Sequence, residues 1–421
     1  MGRNQNFAGT VVDLFAGCGG LSLGLERAGF EPIFVNELHP DALATYVANR
    51  AHLDVALPMN QSQDILELTR SDGELEALGR RLKKRSGGDV TLVVGGPPCQ
   101  GYSGIGHRRS FLLAKEEIPS NHLYRDFAST VSHLGPRAFV FENVKGLLSS
   151  RWTPEGEKGE IWEDVIRTLR RIRTVRRGRG LEYVVQSKIL LAKDFGVPQN
   201  RPRIIVVGVR EDVVKNLRIR EESFFPAPSG SAPDLVDALG DLVDPDWHPG
   251  GATLKYPASA ENEWQRYFRM SLDGSNVLRK GSPLAEHAYN NHSPEIVRKF
   301  QYMLNHDGNI PSGMRTKKFA QRVLPERWGP SGPTVTATSL ADDYVHFSQP
   351  RVPTIREWAR LQMFPDTYIF VGKRSTGGRR RAGDPEAGDW SRDLPKYTQI
   401  GNAVAVGVAE ALGHHLRRLV A

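Results

Sequence analysis

The first 210 residues alternate between short β-branched runs and helix-like stretches, and this alternation restricts the fold more than any other feature. Segments such as GLSLGLERAG and DALATYVANR separate runs that are nearly all apolar. The runs are TVVDLF, PIFVNE, DVTLVVGG, RAFVFENV, YVVQSKILL and RIIVVGV. Strands of this kind, spaced by helices, predict an α/β fold with a doubly wound parallel sheet. Ligands bind such sheets beyond the carboxyl ends of the strands.

The composition and the periodicity of the sequence change after Arg210, and this change predicts a second domain. The stretch FFPAPSGSAPDL is linker-like, and the residues after it are rich in Pro, Gly, Asn, Trp and Tyr with weak periodicity. A helix-like segment, TIREWARLQMF, precedes a Gly- and Arg-rich insert at 372–390. We therefore predict a main domain, a smaller irregular domain, a joining segment that includes the insert, and a returning C-terminal helix. These parts cover residues 1–215, 220–345, 346–395 and 396–421.

The composition is that of a globular chain with an excess of positive charge. Hydrophobic residues make up 39% and charged residues 25%, the formal net charge is +8 and the pI is near 9.4. Basic clusters such as RRIRTVRRGR together favour a polyanionic partner, although each alone is typical of a solvated surface. Two cysteines cannot form a disulfide framework and, without a His cluster, they make a poor zinc site. Without a signal-peptide pattern or a run of membrane-spanning length, we expect a soluble, cytoplasmic protein.

A glycine-rich turn follows the first predicted strand. Its sequence, DLFAGCGGLSLG, places Gly17 where the backbone can turn tightly and approach a ligand at a helix N-terminus. Glu37 ends the next strand, where a carboxylate can hold ribose hydroxyls, and Asp64 and Ile65 could meet an adenine. Ser22 replaces the third glycine of the dinucleotide pattern, which favours S-adenosylmethionine (AdoMet) over NAD. The alternative is an ordinary βα turn with a surface carboxylate.

One cysteine stands in the constrained loop VVGGPPCQGYS, directly after a predicted strand. A free cysteine is usually a small buried hydrophobe, but glycines and prolines fix the backbone before Cys99 and polar residues follow it. The loop therefore fits a positioned thiol nucleophile. Glu142 ends the strand AFVFENV and would face the same crevice, unless it caps a helix. Arg201 and Arg203 of GVPQNRPR would point to one side and clamp an oxygen-bearing group, unless they are surface charges.

Taken together and in this order, these segments resemble the C5-cytosine DNA methyltransferase family of bacterial and phage type. The matching motifs span residues 11–406. They read DLFAGCGG, NE at 36–37, DI at 64–65, GGPPCQGYS, FENV, GVPQNRPR, TIREWARLQMFPDTY and QIGNAVAV. The resemblance implies the Rossmann-like AdoMet-dependent methyltransferase fold, with a catalytic main domain and a target-recognition domain at 220–345. Two positions depart from the family pattern, since Gln63 replaces a common Gly and Ala405 a common Pro.

The resemblance also implies roles for individual residues. It makes Cys99 the nucleophile that attacks C6 of a flipped-out cytosine. Glu142 would bond N3 and the exocyclic amine, Arg203 would contact O2, and Arg201 would support the site. The residues implied in AdoMet binding are Phe15, Gly17, Gly19, Glu37, Asp64, Ile65, Pro98, Leu123 and Asn402. Those implied in positioning the base and the DNA are Pro98, Gln100, Ser103 and Gln199. The residues implied in supporting the recognition region are Arg351, Arg356 and Arg360.

The activity that the resemblance implies is that of a DNA (cytosine-5-)-methyltransferase acting on a specific sequence in duplex DNA. AdoMet would be the methyl donor and S-adenosylhomocysteine the product, no metal or membrane is implied, and the protein would be a monomer. Its cellular partner would be a cognate restriction endonuclease or an anti-phage system, with an orphan enzyme that has neither as the open alternative. Two alternatives stay open, namely a transfer-RNA cytosine-5 methyltransferase and a catalytically idle DNA-binding scaffold. The insert has no assigned role.

Overall fold

Strands occupy the predicted β-branched runs. The computed structural model describes residues 7–98, 119–176, 178–220, 223–271, 274–314, 321–327, 332–336, 343–375 and 393–421. The first strands along the chain are β1 (Gly9–Leu14), β2 (Phe30–Asn36), β3 (Gln61–Ser62), β4 (Leu92–Gly95), β5 (Ala138–Val144), β6 (Arg173–Arg176), β7 (Arg179–Leu191) and β8 (Pro202–Arg210). Within the described ranges these eight strands form one sheet in the order β3-β2-β1-β4-β5-β8-β7-β6.

The sheet is parallel in one half and antiparallel in the other. Neighbouring strands from β3 through β5 run parallel. β8 runs antiparallel to both β5 and β7, and β6 pairs antiparallel with β7. The α/β class is therefore confirmed, but the prediction of a parallel sheet is wrong for its last strands. Residues 192–201 connect β7 to β8. This connection explains why the two strands are antiparallel, because parallel neighbours need a crossover of about a dozen residues or more.

Helices cover both faces of the sheet. They are α1 (Gly20–Arg27), α2 (Pro40–Ala48), α3 (Ile65–Leu68), α4 (Asp72–Arg85), α5 (Tyr124–Leu134), α6 (Glu160–Arg170), α7 (Glu211–Leu217), α8 (Leu235–Leu239), α9 (Glu263–Arg269), α10 (Pro294–Asn305), α11 (Ile355–Leu361), α12 (Lys396–Asn402) and α13 (Val406–Val420). Because side chains alternate along a strand, Val11 belongs to the buried cluster that includes residues of α1 and α13. Val12 belongs to the cluster on the other face, which includes residues of α4, α5 and α6. In the described part of the chain, no helix has the length and apolar character needed to span a membrane.

The C-terminal helix α13 packs tightly against α1 through glycines. A Cβ placed on Gly24 would lie 2.5 Å from the Cβ of Ala409, and one on Gly413 would lie 2.6 Å from the Cβ of Ala28. Such approach is possible only where a side chain is missing. The C-terminal helix predicted from the sequence therefore packs beside α1, the helix that follows the first βα turn.

Residues beyond α7 share the core of the sheet. Leu239, Phe268 and Tyr344 belong to the same buried cluster as Val11 of β1. A short parallel pair, β9 (Arg322–Val323) and β10 (Tyr344–Val345), lies in this part of the chain. The domain bounds given above remain a prediction.

Buried ion pairs around α11 connect the segments of this region. Arg360 contacts Asp366 at 2.6 Å and Asp241 at 2.5 Å, and Arg351 contacts Glu357 at 2.7 Å. The arginines implied in supporting the recognition region are all fully buried: Arg351, Arg356 and Arg360. Because a buried charge that loses its partner costs several kcal/mol, these pairs tie α11 firmly to its neighbours. A role for these arginines in supporting a recognition region stays a prediction.

Candidate active site

The carboxyl edge of the sheet collects most of the predicted site residues. Phe15, Glu37 and Asp64 follow β1, β2 and β3, Pro98 lies shortly after β4, and Glu142 lies near the end of β5. These strands are parallel, so their carboxyl ends meet at one edge. Residues far apart in sequence are therefore brought together there.

The β1–α1 turn is built on left-handed backbone. Phe15, Gly17 and Gly19 have φ angles of 56°, 57° and 87°. Left-handed φ is uncommon for a residue other than glycine, and Phe15 adopts it at the first position of the turn. A Cβ on Gly17 would meet no atom of the described residues within 4 Å, so the space beside this backbone is open. The turn can therefore accept a ligand against its main chain.

Glu37 is fixed by hydrogen bonds to both carboxylate oxygens. The Gly17 N–H donates to Oε2 and the His39 N–H donates to Oε1, each at 2.8 Å. Burial raises the pKa of Glu37, and the two donors oppose that shift. The Glu37 N–H also donates to the Ser62 carbonyl at 3.0 Å, which places Glu37 beside the residues that follow β3.

The residues after β3 form the next wall of the crevice. Asp64 caps α3, since its Oδ1 accepts the Leu66 N–H at 2.9 Å. Ile65 is buried in the cluster on one face of the sheet, and Phe15 and Leu123 pack against that same cluster. The apolar side chains assigned to cofactor binding therefore adjoin a single apolar surface.

Arg50, which belongs to none of the sequence motifs, contacts the backbone of the glycine turn. It is buried, donates to the Gly19 carbonyl at 3.1 Å and pairs with Glu26 at 2.6 Å. Tyr368 accepts a hydrogen bond from Arg50 at 3.2 Å and donates to the Cys18 carbonyl at 2.6 Å. These contacts stabilise a backbone that glycines alone would leave pliable. No local sequence pattern marks Arg50 for this position, and the motif TIREWARLQMFPDTY, which ends at Tyr368, gives that residue no role of its own.

Ser22, which breaks the dinucleotide pattern, has a structural partner. Its hydroxyl donates to Oδ2 of Asp13 at 2.6 Å and lies 2.8 Å from the Tyr46 hydroxyl. Asp13 is buried at the end of β1, and burial raises its pKa to about 7. A glycine at position 22 would leave this carboxyl without its hydroxyl donor.

The cysteine loop reaches the site from β4. Cys99, Gln100 and Ser103 lie outside the described residues, which here end at Pro98. A Cβ on Gly96 would lie 2.7 Å from Oε2 of Glu142, so the loop backbone passes directly against that carboxyl group. The neighbouring Asn143 amide donates to the Pro97 carbonyl at 3.2 Å. The segment that leads into the cysteine is thus held beside the end of β5.

Glu142 and Arg203 form an ion pair at this edge. Arg203 Nε lies 2.7 Å from Oε1 of Glu142, and antiparallel pairing of β5 with β8 places Arg203 opposite Val144. Both side chains are largely buried. Burial raises the pKa of Glu142, while Arg203 and Arg201 oppose that shift. The two predicted site residues are thus in contact.

Arg201 and Gln199 are buried more deeply than Arg203. Arg201 donates to the carbonyls of Gly401 (2.7 Å) and Val335. The Gln199 amide donates to the Leu361 carbonyl at 2.8 Å, and its oxygen accepts the Val335 N–H at 3.3 Å. Both side chains thereby join three distant segments of the chain. A contact between Gln199 and DNA stays a prediction.

Asn402 is exposed at the end of α12. The Arg201 bond to Gly401 fixes the residue before it. A Cβ on Gly20 would collide with the Val404 carbonyl, so the segment just after Asn402 lies against the start of α1. This contact brings the C-terminal segment to the glycine turn.

Comparison with known proteins identifies the family to which this chain is similar. The family model for C-5 cytosine-specific DNA methylases matches residues 9–418. Type II methyltransferase M.DdeI of Desulfomicrobium norvegicum is 32% identical, with 96% of this chain and 88% of that protein covered. Type II methyltransferase M1.HphI of Haemophilus parahaemolyticus is 30% identical, with coverages of 97% and 87%.

Solved structures confirm the methyltransferase fold. A protein described as a DNA modification methyltransferase encoded within an Escherichia coli prophage superposes with a TM-score of 0.65 at 24% identity. The alignment covers 97% of this chain and 99% of that one. The family that the sequence motifs indicate is confirmed by the match over nearly the whole chain. The chain belongs to the C-5 cytosine-specific DNA methylase family.

Proposed function

We propose that this enzyme methylates C5 of a cytosine flipped out of a specific duplex DNA sequence, with AdoMet as methyl donor and Cys99 as nucleophile. The contact between Glu142 and Arg203 carries the proposal, because it lies against the backbone that leads into Cys99. A carboxyl group and a guanidinium side by side can hydrogen-bond the edge of a flipped base through its N3, amine and O2 atoms.

The reaction explains why a thiol is needed beside these groups. C5 of cytosine is a poor nucleophile until a thiolate adds to C6. The Cys99 sulfur forms a bond to C6, and the electron pair of the C5=C6 bond becomes available to bond C5 to the methyl group. A base then removes the C5 proton, the electron pair returns to the C5=C6 bond, and the C6–S bond breaks. Bound AdoMet supplies the electrophilic methyl group and leaves as S-adenosylhomocysteine.

Glu142 would act on the charge that the thiolate places in the ring. Its burial and its raised pKa suit a carboxyl group that hydrogen-bonds N3 while negative charge develops there. Arg203 would hold O2 from the same side. Arg201 donates to backbone carbonyls, so it would position the site without touching the base.

The residues at the carboxyl edge fit AdoMet. Open space lies beside Gly17, where ligand atoms could approach the main chain. The Glu37 carboxylate has lone pairs left for ribose hydroxyls after accepting its two N–H donors. Ile65 and Leu123 adjoin an apolar surface suited to an adenine ring, with Asp64 beside it for the exocyclic amine. Phe15, Gly19, Pro98 and Asn402 would complete the binding site.

The partner we propose is double-stranded DNA. Relatives named as Type II methyltransferases and the net charge of +8 support it. Residues 220–345 would read the sequence, and phosphate contacts would make binding salt-dependent. We further propose a monomer that acts in the cytoplasm, where bacterial DNA lies, and whose cellular partner is a restriction endonuclease or an anti-phage system.

Methyl-group tracing tests the proposal. Purified protein with methyl-labelled AdoMet should label duplex DNA and leave transfer RNA unlabelled, and the labelled nucleoside should be 5-methyldeoxycytidine. Bisulfite sequencing of DNA from expressing cells should then show protected cytosines within one recurring sequence. Label transfer to transfer RNA in preference to DNA would favour the RNA enzyme instead. Absence of transfer to either acceptor by folded, AdoMet-binding protein would refute the proposal.

A further inference from the structure

A second, strongly polar cavity lies at the opposite edge of the sheet. It has a volume of about 600 Å³ and opens at the amino ends of β1, β4 and β5 and the carboxyl end of β8. Strand β1 runs from this edge to the carboxyl edge over six residues, a distance of ~17 Å at about 3.3 Å per residue. The cavity is therefore separate from the site proposed for AdoMet and cytosine.

Positive charge exceeds negative charge in the described lining of this cavity. Its arginines are Arg85, Arg137, Arg176 and Arg210, and its acidic residues are Glu31, Asp89 and Asp212. The acids are already engaged by the other arginines. Asp89 pairs with Arg176 at 3.1 Å and with Arg210 at 2.8 Å. Asp212 pairs with Arg176 at 2.9 Å and with Arg210 at 2.7 Å. Glu31 pairs with Arg85 at 3.1 Å.

Arg137 is the arginine of this lining for which the described residues provide no paired acidic side chain. It is half-buried directly before β5, and no hydrogen bond or ion pair of its guanidinium occurs among the described residues. Burial and the neighbouring Arg210 lower the pKa of Arg137, and the charges of Asp89 and Asp212 oppose that shift without cancelling it. A half-buried cation beside another cation is costly unless an anion compensates it.

Neutral donors also face the cavity. Ser86 and Thr10 are within 3.1 Å of each other, so when Thr10 donates to Ser86 the Ser86 hydroxyl is available to a ligand. The Asn216 amide lies in the same lining. A guanidinium with hydroxyl and amide donors is the donor set that binds phosphate oxygens in proteins.

We propose that this cavity binds a phosphate-type oxyanion through Arg137, at a site distinct from the catalytic edge. A recess lined on several sides suits a discrete anion, either inorganic phosphate or the phosphate of a mononucleotide. The phosphodiester backbone of DNA carries the same chemistry, so the test compares all three sources.

Calorimetric titration at constant ionic strength tests the proposal on the full chain. Inorganic phosphate, AMP and a short duplex are titrated in turn into wild type, Arg137→Gln and the control Arg171→Gln. Arg171 is exposed and lies outside the cavity, so the control makes the same charge change elsewhere. We expect the Kd for phosphate or AMP to rise about ten-fold or more in Arg137→Gln and to stay within about two-fold in Arg171→Gln.

The phosphate-induced rise in unfolding temperature provides a second readout, which should disappear in Arg137→Gln alone. Stronger binding of AMP than of phosphate would identify a nucleotide as the source, and equal binding would identify the free anion. Two results would overturn the proposal. One is equal phosphate binding by wild type and Arg137→Gln. The other is an effect of Arg137→Gln on duplex binding only.

Discussion

Arg203 Nε lies 2.7 Å from Oε1 of Glu142, across the antiparallel pair of β5 and β8 at the edge where the cysteine loop arrives. The contact depends on the reversed direction of β8, because Arg203 starts its strand where β5 ends. A parallel β8 would carry Arg203 to the opposite edge. Strand direction thus positions the acid and the arginine in one crevice.

Replacement of Glu142 by Gln should separate catalysis from cofactor binding. The amide keeps the shape of the side chain but can neither ionise to pair with Arg203 nor pass a proton to N3 of the base. We expect the rate of methyl transfer to fall about 10²–10³-fold, while calorimetry shows the Kd for AdoMet within about two-fold of wild type. The exposed Glu155→Gln variant is the control and should change neither quantity. A Glu142→Gln enzyme with near wild-type turnover would refute the assigned role.

Gly17→Ala should weaken AdoMet binding more than it weakens the fold. Gly17 and the exposed Gly281 both have positive φ, and a Cβ on either meets no described atom within 4 Å. Each alanine substitution should therefore destabilise the fold by a similar amount, about 1 kcal/mol, through backbone strain. The Kd for AdoMet should rise only in Gly17→Ala, because only there would the new methyl group occupy ligand space. Equal AdoMet affinities for the two variants would contradict the proposal that AdoMet lies against the backbone of Gly17.

Gly24→Ala should destabilise the protein, whereas Gly79→Ala should not. The new Cβ at position 24 would sit 2.5 Å from the Cβ of Ala409 and force α1 from α13. At position 79 of α4 the nearest atoms lie at 3.5 Å, an ordinary contact. Urea unfolding should show a loss of about 1–3 kcal/mol for Gly24→Ala and a gain of up to about 1 kcal/mol for Gly79→Ala. Equal free energies of unfolding for the two variants would contradict the close packing of α1 against α13.

The stability of the protein should fall with rising pH through the titration of Asp13. Its pKa is raised from 3.8 to about 7, so the folded protein keeps a proton that the unfolded chain releases between about pH 4 and pH 7. The associated stabilisation, at most about 4 kcal/mol, is complete below pH 4 and lost as pH rises through 7. Asp13→Asn cannot titrate. Between pH 5 and pH 8, the free energy of unfolding of Asp13→Asn should therefore rise by about 2–3 kcal/mol relative to that of wild type. A difference between the two proteins that stays constant over this pH range would contradict the expectation.

Local patterns predicted the parts of the site that depend on local structure. The glycine turn, Glu37 after the next strand and Glu142 at the end of AFVFENV follow from strands that end where apolar runs end. The direction of β8 could not be read in this way. The sequence of β8 is as apolar as that of a parallel strand. Only the length of the connection from β7, residues 192–201, distinguishes an antiparallel from a parallel β8.

Contacts between distant segments were also missed. Arg50 meets Tyr368 across more than three hundred residues, and Asp241 meets Arg360 across more than one hundred. Nothing in the sequence around these residues specifies the partner, because each contact is set by how whole helices pack. Ser22 shows the converse, since a residue that looked like a broken motif is part of a hydrogen-bonded pair with Asp13.

Covalent trapping of Cys99 tests the central claim most directly. A duplex would carry 5-fluorocytosine at the cytosine that bisulfite sequencing identifies, because fluorine at C5 cannot leave as the proton does. After methyl transfer the C6–S bond should then persist, and mass spectrometry should locate one denaturation-stable DNA adduct on Cys99 that requires AdoMet. Cys99→Ser should bind AdoMet and form no adduct. An adduct on another residue, or none from an enzyme that methylates the unfluorinated duplex, would contradict the account.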